Sequence, residues 1–319
     1  MLTRLFWLWT ILGVIIAWFY PPSMTWFVKG KINLFGAEVR LLSLGLGVIM
    51  LGMGMTLTFE NFKEVLRTPR SIFIGILAQF LVMPFIGWSI ATLFALPPEL
   101  KLGIILVSCC PGGTASNVVC FLARANVALS LLITMCSTLI AVVMTPLLTK
   151  FYASAILKVD SAAMIQSMLT VVLLPVLGGL LLNHFFRNKL TIAKQISPVI
   201  AILVIVLIVG GVVGLTKPNI IKYYSTLLPA VFIVHILGFA AGYYIAKLLK
   251  LSIRDTRTIS IEVGMQNSGL GSQLATKHFT ILAATPCAIS ALYHCLIGSA
   301  LAAYWSRKQE SSGDITFES

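Results

Sequence analysis

The sequence predicts an all-α polytopic membrane protein of ten transmembrane helices, and three observations carry that reading. Hydrophobic residues make up 58% of the 319 and charged residues only 10%, with a mean hydropathy of +0.98, which is not the composition of a soluble globular domain. Apolar runs of about 18 residues or more, long enough to cross a bilayer, recur along the whole chain. Two of these runs carry a polar, glycine-bearing centre and occupy matching places in the two halves of the chain.

The predicted spans are 5–21, 37–57, 71–95, 99–122, 127–149, 163–186, 195–215, 225–249, 256–277 and 281–305. The first could instead be a signal peptide, since Arg4 precedes the run LFWLWTILGVIIAWF; no A-x-A-like site follows it, only Tyr20-Pro21-Pro22, and it is read as a helix. The stretch 58-TFENFKEVLRTPR-70 reads as an amphipathic interfacial segment. Residues 306–319, SRKQESSGDITFES, read as a polar, disordered tail. All six cysteines fall inside predicted spans and none forms a C-x-x-C pair, so neither a disulfide framework nor a zinc site is expected.

The net charge of +13 is not a nucleic-acid signature, because the positive residues do not cluster with interleaved aromatics. They lie mostly in the connections. With the N-terminus inside, 14 of the 23 lysines and arginines fall in cytoplasmic segments and 9 on the other side, so the positive-inside rule puts both termini in the cytoplasm. The location expected is an inner membrane.

Ten spans divide into two sets of five, and an odd number per half forces the second half to enter the membrane inverted. The expected repeats are 1–160 (spans one to five) and 161–306 (spans six to ten), followed by a cytoplasmic tail at 307–319. The fourth span of each half is unusual. The first reads 99-ELKLGIILVSCCPGGTASNVVCFLA-123, where Pro111, Gly112 and Gly113 break the helix. The second reads 256-TRTISIEVGMQNSGLGSQLATK-277, where Gly264, Gly269 and Gly271 bracket Gln266, Asn267 and Ser268. Broken helices in corresponding positions point to a transporter binding site.

Of ten acidic residues, Glu262 alone lies well inside a span. A carboxylate at that depth costs at least about 2.5–3.5 kcal/mol on insertion scales, and no lysine or arginine lies at mid-span to neutralise it, so a cation or a transported proton is its expected partner. Gln266 shares a face with it if the helix continues; if the helix unwinds, the carbonyls of Val263 and Met265 become oxygen donors. Ser130, Thr134 and Thr138 form a hydroxyl stripe at i, i+4 and i+8, and Ser116 and Asn117 open the half-helix after Pro-Gly-Gly. Together with Glu262 these oxygens suit a hard monovalent cation. The half-helices starting near Gly113-Thr114 and Asn267-Ser268 present N–H groups to an anion. His235 and His294 also lie inside spans, where a packing or hydrogen-bonding role is the ordinary reading. No G-x-S-x-G elbow, Walker-type loop or G-x-G-x-x-G occurs, so enzyme chemistry, ATP and dinucleotides have no support.

These residues resemble the bile acid:sodium symporter family in its bacterial branch, through 45-GLGVIMLGMGMTL-57, 76-ILAQFLVMP-84, 108-SCCPGGTASNVV-119 and 261-IEVGMQNSGLG-271. The resemblance implies a panel domain from spans 1, 2, 6 and 7 and a core domain from spans 3–5 and 8–10, with the fourth and ninth helices crossing at their unwound centres. It implies two Na⁺ sites, one from Ser116, Asn117, Ser130, Thr134 and Glu262, the other from Gln79, Glu262, Val263, Met265 and Gln266. It implies substrate contacts from Thr114, Asn267 and His294; family members carry Asn after that histidine, where this chain has Cys295. The function implied is sodium-coupled symport of an organic anion, bile acid-like or a small carboxylate such as pantoate, by alternating access. Proton coupling through Glu262 and a passive anion channel are the alternatives. Expected partners are sodium, the anion and membrane lipid, with no organic cofactor, nucleic acid or obligate protein partner.

Overall fold

The computed structural model describes residues 6–34, 36–186 and 189–311. Helix α1 (Phe6–Phe19) ends where Tyr20-Pro21-Pro22 cannot continue it, and α2 (Pro22–Lys29) leaves at 99°. A two-stranded antiparallel hairpin follows, β1 (Lys31–Leu34) and β2 (Ala37–Arg40), in the register Lys31↔Arg40 and Asn33↔Glu38. It corrects the predicted second span, whose first four residues are strand. The cause is local: Gly36, at φ +85°, allows a two-residue turn, and Lys31 Nζ pairs with Glu38 at 2.8 Å across it. The Lys31 ammonium holds the Glu38 carboxyl below the usual carboxylate range.

Helix α3 (Leu41–Thr56) bends by 76° into the short α4 (Phe59–Val65), the expected amphipathic connection. Thr58 and Asn61 cap α4 reciprocally, Thr58 N–H donating to Asn61 Oδ1 at 2.8 Å. The third span is α5 (Pro69–Leu77) and α6 (Met83–Leu93), joined without a break by a π-helical turn over Ala78–Val82. That turn absorbs the hydrogen bond Pro84 cannot make, and it carries Gln79.

The fourth predicted span is two pieces, α7 (Pro98–Ser108) and α8 (Ala115–Leu122), with a non-helical centre between them. Helix α9 (Val127–Ala153) begins at an Asn126 cap, whose side chain accepts from Leu129 N–H at 3.1 Å. Helices α10 (Ser161–Met168) and α11 (Leu174–Phe186) form the sixth span around a second π turn, Leu169–Leu173, again just ahead of a proline, Pro175. Helices α3 and α11 approach closely at Gly54 and Gly179, where an added Cβ would sit 2.2 Å from the Val176 carbonyl and 2.3 Å from the Leu51 carbonyl respectively.

The seventh and eighth predicted spans are one helical run, α12 (Thr191–Leu248), and the loop expected at 216–224 does not exist. Nothing in 216-TKPNIIKYY-224 except Pro218 opposes a helix, and one proline kinks a helix without necessarily ending it. A straight run of 58 residues would be about 87 Å long. Yet Ser197 packs against Gly52 near one end, while the Leu249 carbonyl accepts from Arg70 Nη2 at 2.7 Å at the other. The chain from Gly52 to Arg70 is too short to span that length, so α12 folds back on itself.

The ninth predicted span is split into α13 (Ile253–Gly264) and α14 (Ser268–His278), and α15 (Ile281–Ser311) completes the chain. It carries the helix six residues into the segment predicted to be disordered; 312–319 lie outside the described residues. Among the described residues five helices are long and apolar enough to cross a membrane, or up to seven with the two bent pairs, so this is a multi-pass membrane protein, helical apart from the hairpin. All six cysteines are free. The most enclosed segments are the two broken helices: every residue of 102–113 and 256–275 is buried.

Candidate functional site

The two interrupted helices meet at their gaps. Gly113 N–H donates to the Met265 carbonyl at 2.9 Å, and Asn267 N–H donates to the Pro111 carbonyl at 2.8 Å. Gly112 and Gln266 thus form an antiparallel bridge in the middle of a helical protein. The backbone groups that proline, the glycines and the unwinding release are satisfied across the crossing rather than by water, as membrane depth requires. Side chains are excluded on the first segment. A Cβ on Gly112 would lie 2.8 Å from Glu262 Oε2, and one on Gly113 would lie 2.9 Å from the Gln266 carbonyl.

Glu262, two residues before the end of α13, is 1% exposed. Its Oε1 accepts from Ser116 Oγ and from Ser130 Oγ, each at 2.5 Å, and its Oε2 accepts from Thr134 Oγ1 at 2.8 Å. Asn117 Oδ1 is also 2.8 Å from Ser130 Oγ. A hydroxyl has one hydrogen, so Ser130 cannot donate to Asn117 and Glu262 at once. The result is a cluster of oxygens richer in lone pairs than in protons, with no cationic side chain paired to Glu262 among the described residues. Five predicted positions, Ser116, Asn117, Ser130, Thr134 and Glu262, therefore come together from α8, α9 and α13. Thr138, one turn further along the stripe, does not reach the carboxylate.

A second group gathers around Gln79 and Gln266. Gln79 Nε2 donates to Gln266 Oε1 at 2.8 Å and to the Cys110 carbonyl at 2.6 Å, while Gln266 Nε2 donates to the Val263 carbonyl at 2.7 Å. Because α13 stops at Gly264, Gln266 does not share a helical face with Glu262; the unwound alternative holds, and Met265 is extended, with φ −108° and ψ 98°. The Met265 carbonyl already receives Gly113 N–H and keeps one lone pair.

Thr114 precedes the first turn of α8 with no side-chain cap bond, and Asn267 caps α14, accepting from Leu270 N–H at 3.1 Å. Thr114, Asn267 and His294 all border a small cavity beside the bridge. His294 is 4% exposed and its Nδ1 has no hydrogen-bond partner. Thr114 and Asn117 also line a cavity of about 350 Å³ that runs past Met53 and Ile202 to Trp7, Thr56 and Ser197. Those last residues lie at the ends of α1, α3 and α12 on one side of the molecule.

A family model described as the sodium bile acid symporter family matches residues 43–223. The chain belongs to the sodium bile acid symporter family. It is similar to the uncharacterized sodium-dependent transporter YocS of Bacillus subtilis, 41% identical over 303 residues that cover 95% of this chain and 91% of the relative. It is also similar to the probable chloroplastic sodium/metabolite cotransporters BASS2 of rice, 42% identical over 98% of this chain and 73% of the relative, and BASS1 of Arabidopsis, 41% identical over 94% and 73%. As a sodium bile acid symporter family member the protein is a transporter and not an enzyme.

Sequence reasoning missed two features of this symporter-family site. His235 on α12 spans the gap in the ninth helix: its Nδ1 is 2.8 Å from the Gly264 carbonyl and its Nε2 is 2.6 Å from Ser290 Oγ, which in turn is 3.0 Å from Ser268 Oγ. A carbonyl only accepts, so in the neutral ring Nδ1 carries the hydrogen and Nε2 accepts from Ser290. One imidazole thus joins the last residue of α13 to the first of α14; its presence in a span was legible, its partners were not. Secondly, α14 is tied to β2, α3 and α10 on the side away from the 350 Å³ cavity. Arg40 Nη1 donates to the Thr276 carbonyl at 2.7 Å, Gln273 Nε2 donates to Ser43 Oγ at 3.2 Å, and Ser167 Oγ lies 2.8 Å from His278 Nε2.

Proposed function

We propose that this protein is a sodium-coupled symporter of an organic anion that works by alternating access. The observation carrying the proposal is the Glu262 carboxylate, buried at the helix crossing, accepting from three hydroxyls and, among the described residues, facing no cationic side chain. Three hydroxyls converge on one carboxylate, and a carboxylate in an oxygen-rich, proton-poor cluster is a fitting ligand for a hard cation. The relatives' names, sodium-dependent transporter and sodium/metabolite cotransporter, favour sodium as that cation.

Two sodium ions are assigned, one to Ser116, Asn117, Ser130, Thr134 and Glu262, the other to Gln79, Glu262, Gln266 and the carbonyls of Val263 and Met265. Their shared ligand is Glu262, so the second ion enters a site the first has already helped to order. The substrate is assigned to Thr114, Asn267 and His294, where the half-helix N-termini favour a carboxylate. A bile acid-like anion or a small carboxylate such as pantoate fits that chemistry.

Counting the two broken helices and the two arms of α12 separately gives ten spans, in repeats 1–160 and 161–306, with 307–319 as tail. Spans 1, 2, 6 and 7 make the panel and spans 3–5 and 8–10 the core that moves against it. The proposed setting is a bacterial inner membrane with both termini cytoplasmic, which makes the 350 Å³ cavity cytoplasm-facing.

Uptake of radiolabelled taurocholate, pantoate and 2-keto acids into proteoliposomes under an imposed sodium gradient tests the proposal. Accumulation above equilibrium that needs sodium and is lost in Glu262→Ala and Gln266→Ala supports it. Accumulation driven by a pH gradient without sodium would replace sodium by the proton, and equilibration without accumulation would make the protein a channel.

A further inference from the structure

The β1–β2 hairpin collects charge on one face. Lys31 stands directly opposite Arg40, and Glu38 lies two residues from Arg40 on the same face. Like charges placed directly opposite destabilise a strand pair. Glu38 answers only one of them, its carboxylate pairing with Lys31 Nζ at 2.8 Å. Arg40 is held instead by a neutral group, Nη1 donating to the Thr276 carbonyl at 2.7 Å. That bond sets the guanidinium beside the next residue of α14, Lys277. Arg40 and Lys277 are both exposed, and neither has an ion pair among the described residues.

The two cations border one cavity, of about 660 Å³, on the side away from the 350 Å³ one. Glu38 borders it too, its carboxylate already engaged by Lys31. Further in, the lining loses its charge. On α3 it consists of Leu44, Val48 and Leu51, at i, i+4 and i+7 of one helical face, with Val171 and Pro175 across from them. Gly47 keeps the groove open between the two walls, since a Cβ there would meet only Pro175 Cγ, at 3.8 Å. From Ser43 to Leu51 along α3 is eight residues, or about 12 Å of rise. Arg40 immediately precedes α3 and Lys277 is the last residue but one of α14. The basic end therefore lies at helix termini, and the apolar end runs toward the middle of α3.

From this polarity we propose that the groove is a binding site for an anionic phospholipid. The phosphodiester bridges Arg40 and Lys277. It draws on the guanidinium N–H groups that Thr276 does not use, and on the ammonium. An acyl chain runs down the apolar walls of α3 and α11. The juxtaposition decides the occupant. A free small anion would match the cations and leave the groove empty, and a neutral lipid would fill the groove and leave the cations unmatched. An anionic amphiphile matches both, and basic pockets between membrane helices suit such headgroups. Because Arg40 leads into α3 and Lys277 belongs to α14, the bridging phosphate adds a second tie across the seam that the bond from Arg40 to Thr276 already closes.

The test uses the full-length protein, delipidated in detergent and then offered vesicles of phosphatidylglycerol or phosphatidylcholine, with retained lipid read by native mass spectrometry. Expected is preferential retention of phosphatidylglycerol, reduced about fivefold in Lys277→Gln, the factor one basic residue contributes at a membrane surface. Gly47→Leu keeps both charges but places a side chain in the groove, and it should lower phosphatidylglycerol retention as well. The paired control Lys150→Gln/Lys158→Gln removes two exposed lysines that do not border the cavity and should retain phosphatidylglycerol like the unmodified protein. Equal retention of both lipids, undiminished phosphatidylglycerol retention in Lys277→Gln, or an equal fall in the control would overturn the proposal. Displacement of the lipid by millimolar inorganic phosphate, or full retention in Gly47→Leu, would also overturn it, marking a site for free anions instead.

Discussion

Gly112→Ala tests the oxygen cluster without touching a single oxygen. The new Cβ would lie 2.8 Å from Glu262 Oε2, so the carboxylate must retreat by about half an ångström to reach ordinary van der Waals contact. Elsewhere a side-chain end could swing away at little cost. Here Oε2 holds the Thr134 hydroxyl at 2.8 Å and Oε1 holds Ser116 and Ser130 at 2.5 Å, so any retreat lengthens at least one of three bonds. A hydrogen bond to a charged group contributes about 1.5–3 kcal/mol, which converts to about a 10- to 150-fold weaker cation site if one such contact is lost. The assay is thermal unfolding of the purified protein titrated with NaCl against choline chloride, since a ligand that binds only the folded state raises its stability by mass action. The sodium midpoint should move up by that factor, and the ion-free melting temperature should fall as well, because the lengthened bond is also made without the ion. Gly47→Ala serves as control, because its Cβ would meet only Pro175 Cγ, at 3.8 Å. An unchanged sodium midpoint in a folded Gly112→Ala protein would refute the assignment of the cluster to the cation.

Ser130→Ala removes one donor on Glu262 and should weaken sodium binding by about tenfold or more; a midpoint within twofold of the unmodified protein would leave Ser130 outside the site. His235→Leu leaves the Gly264 carbonyl and Ser290 without their ring partner, at about 1–3 kcal/mol for each buried group left unpaired. His235→Asn, which can keep a donor near Gly264, should recover part of the lost thermal stability, and equal losses in both variants would count against the bridge. Arg40→Gln removes the bond to the Thr276 carbonyl, an exposed contact for which about 0.5–1 kcal/mol is expected. That should raise maleimide labelling of a cysteine placed at buried Ser272 by roughly two- to fivefold; unaltered labelling would mean that Arg40 does not hold this side closed.

What could be read in advance followed from local physics. Hydropathy located the membrane segments because a bilayer demands long apolar runs, and Glu262 stood out because no other acid lies so deep. Pro111 with Gly112 and Gly113 announced a break for the same reason any proline and glycine pair would. The Ser130 and Thr134 hydroxyls were legible as a helical stripe, but the spacing could not say where the stripe ends, and Thr138 proved to lie beyond the carboxylate. Long-range pairing left no local trace. Nothing in the composition of α12 tells that His235 will meet Gly264, or that Gly112 will bridge Gln266 more than 150 residues away. The α12 loop was misread because low hydropathy with a lysine pair resembles a connection, whereas a helix needs only that no residue oppose it strongly. The hairpin at 31–40 goes unread, and 37–40 reads as the start of the second span, because its alternation is too short to outweigh the apolar run that follows.

Cation and substrate assignments separate along the crossing in a way that bears on mechanism. Beside the bridge Gly112–Gln266, Thr114, Asn267 and His294 border a small cavity that Met265 and Gln266 also line, while Glu262 reaches toward α8 and α9. A cation drawn into the Glu262 oxygens would pull α8, α9 and α13 together through Ser116, Ser130 and Glu262. The same backbone bonds, Gly113 to Met265 and Asn267 to Pro111, would carry that ordering into the half-helix ends facing the cavity. On the proposed assignments coupling would require no separate relay, because the strand beside the cation oxygens would also border the substrate site. It also explains why a passive pore is the weaker alternative. The 350 Å³ cavity reaches Thr114 and Ala115 at the start of α8, and the other side is held by Arg40, Ser43 and Ser167 against α14. A path across the membrane therefore demands that α14 part from α3 and α10 while the cavity side closes. That is a rearrangement of one body against another, and bound sodium would be the ligand that makes it favourable only with the anion in place.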